Sequence, residues 1–215
     1  MSDPVRDRVD ATKVGEVTTH LTLAVALVDA FTGRQPRSDV RVAAPDADAT
    51  PVVNPSGYHL FLDLPAEPFT VVVDGGQRYL DVEETVDPVE HDPPVVTFEL
   101  RPSPAYRFPP GATVLRGVVR DDDGDGDPIP DATVSVRHTD RETVSDSNGE
   151  FVLFFTGLTA NDVQRAPDGR RLVQVATDDP VVDASHPEYE DAFVSKPVKE
   201  KSTTRYEILM LESNI

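Results

Sequence analysis

Apolar and polar residues alternate in short runs along this chain, and no stretch sustains a helical period. Leu21 to Val28 is the longest apolar run, and it predicts a buried strand. It is followed by a strand at Val40–Val42, a turn at Asn54-Pro-Ser-Gly57, an aromatic strand at Tyr58–Phe61 and another at Phe69–Val73. A turn at Asp74-Gly75-Gly76 leads to a final strand, Val95–Leu100. The same series then recurs: Val114–Val119, Ala132–Val136 with every second residue apolar, a turn at Asp146-Ser-Asn-Gly149, and the aromatic strand Phe151–Phe155. Leu172–Ala176 and Tyr206–Met210 complete the second series. In both turns an Asx residue sits three positions before a glycine, which supplies the positive φ a tight turn needs. One short helix is expected, between Thr159 and Arg165 with Thr159 as its cap.

The recurrence is an internal repeat. Shifted by 92 residues, Leu27 falls on Val119, Pro36 on Pro128, Asp39 on Asp131, Val42 on Val134, Asn54 on Asp146, Gly57 on Gly149 and Phe61 on Leu153, without a gap. Turn positions and strand positions keep register together, as a duplication requires. Strands this short, with turn signals every 8–12 residues or so, predict an all-β fold of two tandem immunoglobulin-like sandwiches. The division is a flexible segment at 1–18, a first sandwich at 19–101, a Pro-rich linker at 102–111 and a second sandwich at 112–215. Four prolines in the stretch from Arg101 to Gly111 make that linker extended and stiff. Its Tyr106 and Phe108 either pack on a neighbouring domain or are held out for a partner.

Charge narrows the setting. The 215 residues carry a formal net charge of −19, from 39 acidic and 20 basic residues, and of the basic residues only Lys13, Lys196, Lys199 and Lys201 are lysines. The acids are spread along the whole chain, a composition that resembles proteins adapted to high salt, where screening removes self-repulsion. Such a field repels phosphate backbones, so nucleic acid is not an expected partner. The chain has no cysteine, so disulfides and thiolate chemistry drop out. Met1 to Glu16 lacks a signal-peptide pattern, and the run from Leu21 is too short to span a bilayer. Those features predict a cytoplasmic protein, or one released as part of an assembly, without membrane insertion.

The segment Gly117-Val-Val-Arg-Asp, followed by Pro128-Ile-Pro-Asp-Ala132-Thr-Val134 and Ser145-Asp146-Ser-Asn-Gly149-Glu-Phe151, resembles the carboxypeptidase regulatory-like domains. Ser145 stands where that pattern commonly has Thr. The likeness covers the first half of the second repeat; the first repeat is a more diverged copy, keeping Asp39-Val-Arg-Val42 and Asn54-Pro-Ser-Gly57-Tyr58. The resemblance implies transthyretin-like Greek-key sandwiches of about seven strands, used as accessory, adhesive or structural modules without peptidase residues. A fold of this kind does not fix a function.

Candidate chemistry is sparse. The loop Asp121-Asp-Asp123-Gly-Asp125-Gly126-Asp127 opens like a calcium loop, and Asp121, Asp123, Asp125 and Asp127 are its candidate ligands. The bidentate acid due at the twelfth position is missing, because Ala132 stands there. An acidic hairpin tip is the competing reading. The histidines His20, His59, His91, His138 and His186 show no paired spacing, and no nucleophile elbow, phosphate loop or dinucleotide fingerprint occurs. From Asp178 to Ser202 strand character is weak, and this irregular excursion offers Tyr189 and Phe193 as partner anchors. The expectation is a non-catalytic structural or adaptor protein with protein partners, one setting being an accessory part of a phage-tail-like contractile injection assembly. The alternative is a calcium- or carbohydrate-binding module using the acidic loop. No cofactor beyond calcium is implied.

Overall fold

The computed structural model describes residues 18–36, 40–123, 126–176 and 178–213. The first domain contains β1 (Leu21–Asp29), β2 (Arg41–Ala43), β3 (Val52–Val53), β4 (His59–Leu62), β5 (Phe69–Asp74), β6 (Val82–Val86) and β7 (Val95–Leu100). The second contains β8 (Thr113–Asp121), β9 (Thr133–Val136), β10 (Glu142–Val144), β11 (Glu150–Phe155), β12 (Val163–Arg165), β13 (Arg171–Val173), β14 (Val181–His186), β15 (Tyr189–Ser195) and β16 (Thr203–Met210). Sheets β3-β4-β1-β7 and β2-β5-β6 form the first sandwich; β11-β8-β16 and β10-β9-β14-β15 form the second, with β12-β13 as a separate hairpin. The all-β expectation holds, and the first and last strands of each domain lie side by side and parallel.

Register shows the duplication directly. Leu23 pairs with Phe61 and Leu115 with Leu153; Val25 pairs with His59 and Gly117 with Phe151. Both members of each pair have advanced by the 92 residues read from the sequence. In the parallel pairing Leu27 meets Phe98 and Val119 meets Ile208, so the last strand has advanced by 110. The difference lies between β11 and β14, where the second domain inserts the hairpin β12-β13. Alternation drives the packing: Leu23, Val25 and Leu27 point inward from β1, with Phe61, Val71, Val73 and Phe98 around them. Leu115, Val119, Val134, Phe151, Leu153 and Ile208 do the same in the second domain. Each such side chain removed from water stabilises the fold by about 1.5–3 kcal/mol.

Two expectations change. The segment from Asp178 to Ser202 is not an irregular excursion: β14 pairs with β9 as β5 pairs with β2, and β15 completes a hairpin. Charged residues on its outward face mask the alternation of Val182 and Ala184, which are the residues that point inward. Leu172–Ala176 therefore is not the counterpart of Phe69–Val73; its first part is β13, bonded to β12. A further strand, Val82–Val86, shows no apolar alternation because its centre is Glu83-Glu84-Thr85 on an exposed edge. The turn glycines stand as expected: Gly57 N–H donates to the Asn54 carbonyl and Gly149 N–H to that of Asp146, both at 2.8 Å, with φ of 79° and 69°. The helix near Thr159 is a single 3-10 turn, Ala160–Asp162, closed by a capping box between Thr159 and Asp162.

Candidate functional site

The most developed polar arrangement sits where the first domain meets the linker. Asp29 ends β1 and points inward, only 4% exposed. Its Oδ2 accepts from the Tyr79 hydroxyl at 2.8 Å and the Tyr106 hydroxyl at 2.7 Å. Its Oδ1 accepts from the backbone N–H groups of Phe31 at 2.8 Å and Thr32 at 2.9 Å. Burial by itself would raise the Asp29 carboxyl, but these bonds from Tyr106, Thr32, Tyr79 and Phe31 together hold it below its ordinary value. The Tyr106 hydroxyl is raised, first by burial and then by the Asp29 carboxylate. Arg78 covers both rings, its guanidinium carbon 5.1 Å from the Tyr106 centroid.

The linker therefore belongs to the first core. Tyr106 is 3% exposed, which corrects its placing as a partner anchor: the ring packs inward because its hydroxyl has an acceptor there. Pro102 bridges to Tyr79, and the Ser103 N–H donates to the Arg78 carbonyl at 2.9 Å, so the linker begins as an extension of the sheet. Phe108 is half-buried and also packs inward. Its ring lies 4.9 Å from Phe31 and 6.0 Å from Phe154 on β11, and Phe31 lies 5.4 Å from Phe154. These edge-on and tilted contacts join the two sandwiches. From the second domain, Arg116 on β8 donates to the carbonyls of Pro104 and Tyr106. Arg101 and Glu142 pair across the junction at 3.6 Å, but both are half-exposed and add little.

The duplication carries part of this arrangement into the second domain. Advancing Asp29 by 92 and Tyr79 by 110 gives Asp121 and Tyr189: burial first and the nearby Asp121 carboxylate second raise the Tyr189 hydroxyl. Asp121 Oδ1 accepts from the Asp123 N–H at 3.0 Å, the same local turn that Asp29 makes with Phe31. Asp125 lies outside the described residues. Asp127 contributes its backbone carbonyl to the Asp121 N–H at 2.9 Å. Among the described residues, no three His, Asp or Glu side chains gather in a way that could hold a metal. The signal for this lock was in the sequence, as an Asp and a Tyr repeated at the two offsets, but the second offset becomes visible only once the last strands are paired.

Of the other anchors, Tyr189 is half-buried against the second core with His186 at 5.2 Å. Phe193 is 68% exposed on β15, with the Arg137 guanidinium 5.4 Å from its ring. It remains on the surface where the sequence placed it. Burial lowers His59, and among the described residues no histidine belongs to a group of three that could hold a metal. No helix among the described residues is long and apolar enough to cross a membrane.

No protein-family model matches the chain, and no curated protein matches it. Among solved structures it overlaps the minor pilin GBS52 of Streptococcus agalactiae at 10% identity and a TM-score of 0.31, over 91% of this chain and 97% of that one. A shaft pilin, spaA, of Lactobacillus rhamnosus GG aligns at 14% identity and a TM-score of 0.29, over 92% of this chain and 100% of that one. The Bacillus anthracis TIE protein aligns at 9% identity and 0.31, over 89% of this chain but 34% of its own, so this chain spans about a third of that protein. At such scores the assignment of the fold rests on the chain's own sheets and register.

Proposed function

We propose that this chain is a non-catalytic structural or adaptor protein whose two sandwiches act as one stiff body in a protein assembly. The observation that carries the reading is the junction: linker residue Tyr106 is locked into the first core by Asp29, while Phe31 and Phe108 from the same side clamp Phe154 of the second domain. Domains joined by an exposed linker move independently by default, so a linker built into a core serves fixed geometry. Fixed geometry matters to a part that spaces or orients other proteins. Phe193, open on an outer strand, is the surface aromatic best placed to meet a partner. Kinship with the carboxypeptidase regulatory-like modules, a cytoplasmic setting and a place in a contractile injection assembly extend the same reading.

The test is a native pull-down from the source cell at high salt, with bound proteins identified by mass spectrometry. Recovery of a stoichiometric complex supports the adaptor reading, and the identity of its members decides on the contractile assembly. Recovery of the chain alone refutes it.

A further inference from the structure

The outer face of sheet β11-β8-β16 carries a groove of about 740 Å³, walled by linker residues Tyr106, Arg107 and Phe108. That volume is within the span of roughly 300–1,000 Å³ usual for ligand sites. Val152, Arg116 and Arg205 lie in one register row across the three strands beneath it. The first domain supplies an internal comparison. Its equivalent row is Leu60, Ala24 and Val95, so the sandwich itself requires no cation at either arginine position. Two like charges directly opposite on neighbouring strands weaken a sheet, yet the second domain places Arg116 and Arg205 there.

Arg116 has a structural use, because it holds the linker wall through the Pro104 and Tyr106 carbonyls. Arg205 and Arg107 have none of that kind. Both are exposed, and among the described residues no carboxylate lies within ion-pair distance of either. Nearby, by contrast, Arg120 is paired with Glu207 at 3.7 Å. In a chain with 39 acidic residues against 20 basic ones, two unpaired arginines beside an aromatic wall form a local inversion of the overall field. Glu150 also lines the groove and offsets part of the charge around Arg116.

We propose that this groove binds an extended acidic peptide segment of a partner protein, with carboxylates on Arg205 and Arg107 and an apolar side chain against Phe108. This deepens the adaptor reading by giving the partner's chemistry. Guanidinium groups suit carboxylates because their fork of donors matches two oxygens. The test titrates the purified full chain, at low salt, into a fluorescein-labelled octapeptide of alternating Glu and Phe, read by anisotropy. Saturable binding is expected, absent for the matching Lys–Phe peptide. Arg205→Ala and Arg107→Ala should each weaken it about fivefold or more, with no fall in melting temperature. The double variant should abolish it. Equal binding by the double variant, no saturation, displacement by equimolar inorganic phosphate, or tighter binding of a single-stranded oligonucleotide would each overturn the proposal. A pull-down that still recovers a defined complex with the double variant would refute this groove while leaving the adaptor reading intact.

Discussion

Replacing Asp29 with alanine tests the lock at the junction. The substitution strands two hydroxyls, those of Tyr79 and Tyr106, in a site where the rings are 2% and 3% exposed. A buried donor left without an acceptor costs about 1–3 kcal/mol, so the two together cost about 2–6. The N–H groups of Phe31 and Thr32 also lose their acceptor, but they lie nearer the surface, where water replaces it at small cost. A central value is about 4 kcal/mol, and for a chain of this length each kcal/mol moves the melting temperature by about 2–4 °C. Asp29→Ala should therefore melt roughly 10 °C below the parent by calorimetry. Tyr106→Phe, which removes one donor and keeps the ring, should cost about 1–2 kcal/mol. The double variant should cost less than the sum by at least about 1 kcal/mol, since both changes remove the same bond. An Asp29→Ala melting temperature within about 3 °C of the parent, or strict additivity, would refute the reasoning.

Three further outcomes follow from the same geometry. Because Asp29 is held below its ordinary 3.8, its contribution is present above that pH and is lost as pH falls through the lower folded value; the stability gap between the parent and Asp29→Asn should be constant from about pH 5 to 7 and close below about pH 4. The gap is measured by denaturant melts at each pH, where the other carboxylates cancel, and an equal gap at pH 3 and pH 7 counts against the lock. Gly149→Ala should destabilise by more than about 2 kcal/mol, since a left-handed backbone costs a non-glycine about 1–2 kcal/mol and the new Cβ meets the Val119 carbonyl; Gly57→Ala meets only the Gln35 side chain, which can swing away, and should cost about half as much. With Asp121 already accepting from the Asp123 N–H, and no group of three ligating side chains among the described residues, millimolar calcium should shift the melting temperature by less than about 1 °C; a larger shift, lost in Asp123→Ala, would support the metal reading.

The alternation of apolar residues was enough to reveal the strands whose outer face is ordinary, and turn chemistry was enough to place Gly57 and Gly149. Strands with charged outer faces escaped. Val82–Val86 carries Glu83 and Glu84 at its centre because it is an edge, and edges are protected by charge. In β14 and β15 the same dilution hid a hairpin that occupies the place of β5 and β6. The candidate residues divided along a similar line: Phe193 stays on the surface, whereas Tyr106 carries a hydroxyl that finds the buried Asp29 carboxylate. A sequence shows that an aromatic is present, but not which acceptor a crossing strand will bring to it.

By itself, then, the sequence determined the class, the duplication and the register of its first half, because these depend on local periodicity and on residues compared at a fixed spacing. Tertiary structure decided the rest: that Asp29 at the end of the first opening strand meets a tyrosine 50 residues away, that the linker is core, and that Arg116 and Arg205 share a row. Those facts depend on which strands lie next to each other, and strand neighbours are chosen by the burial of the whole sheet.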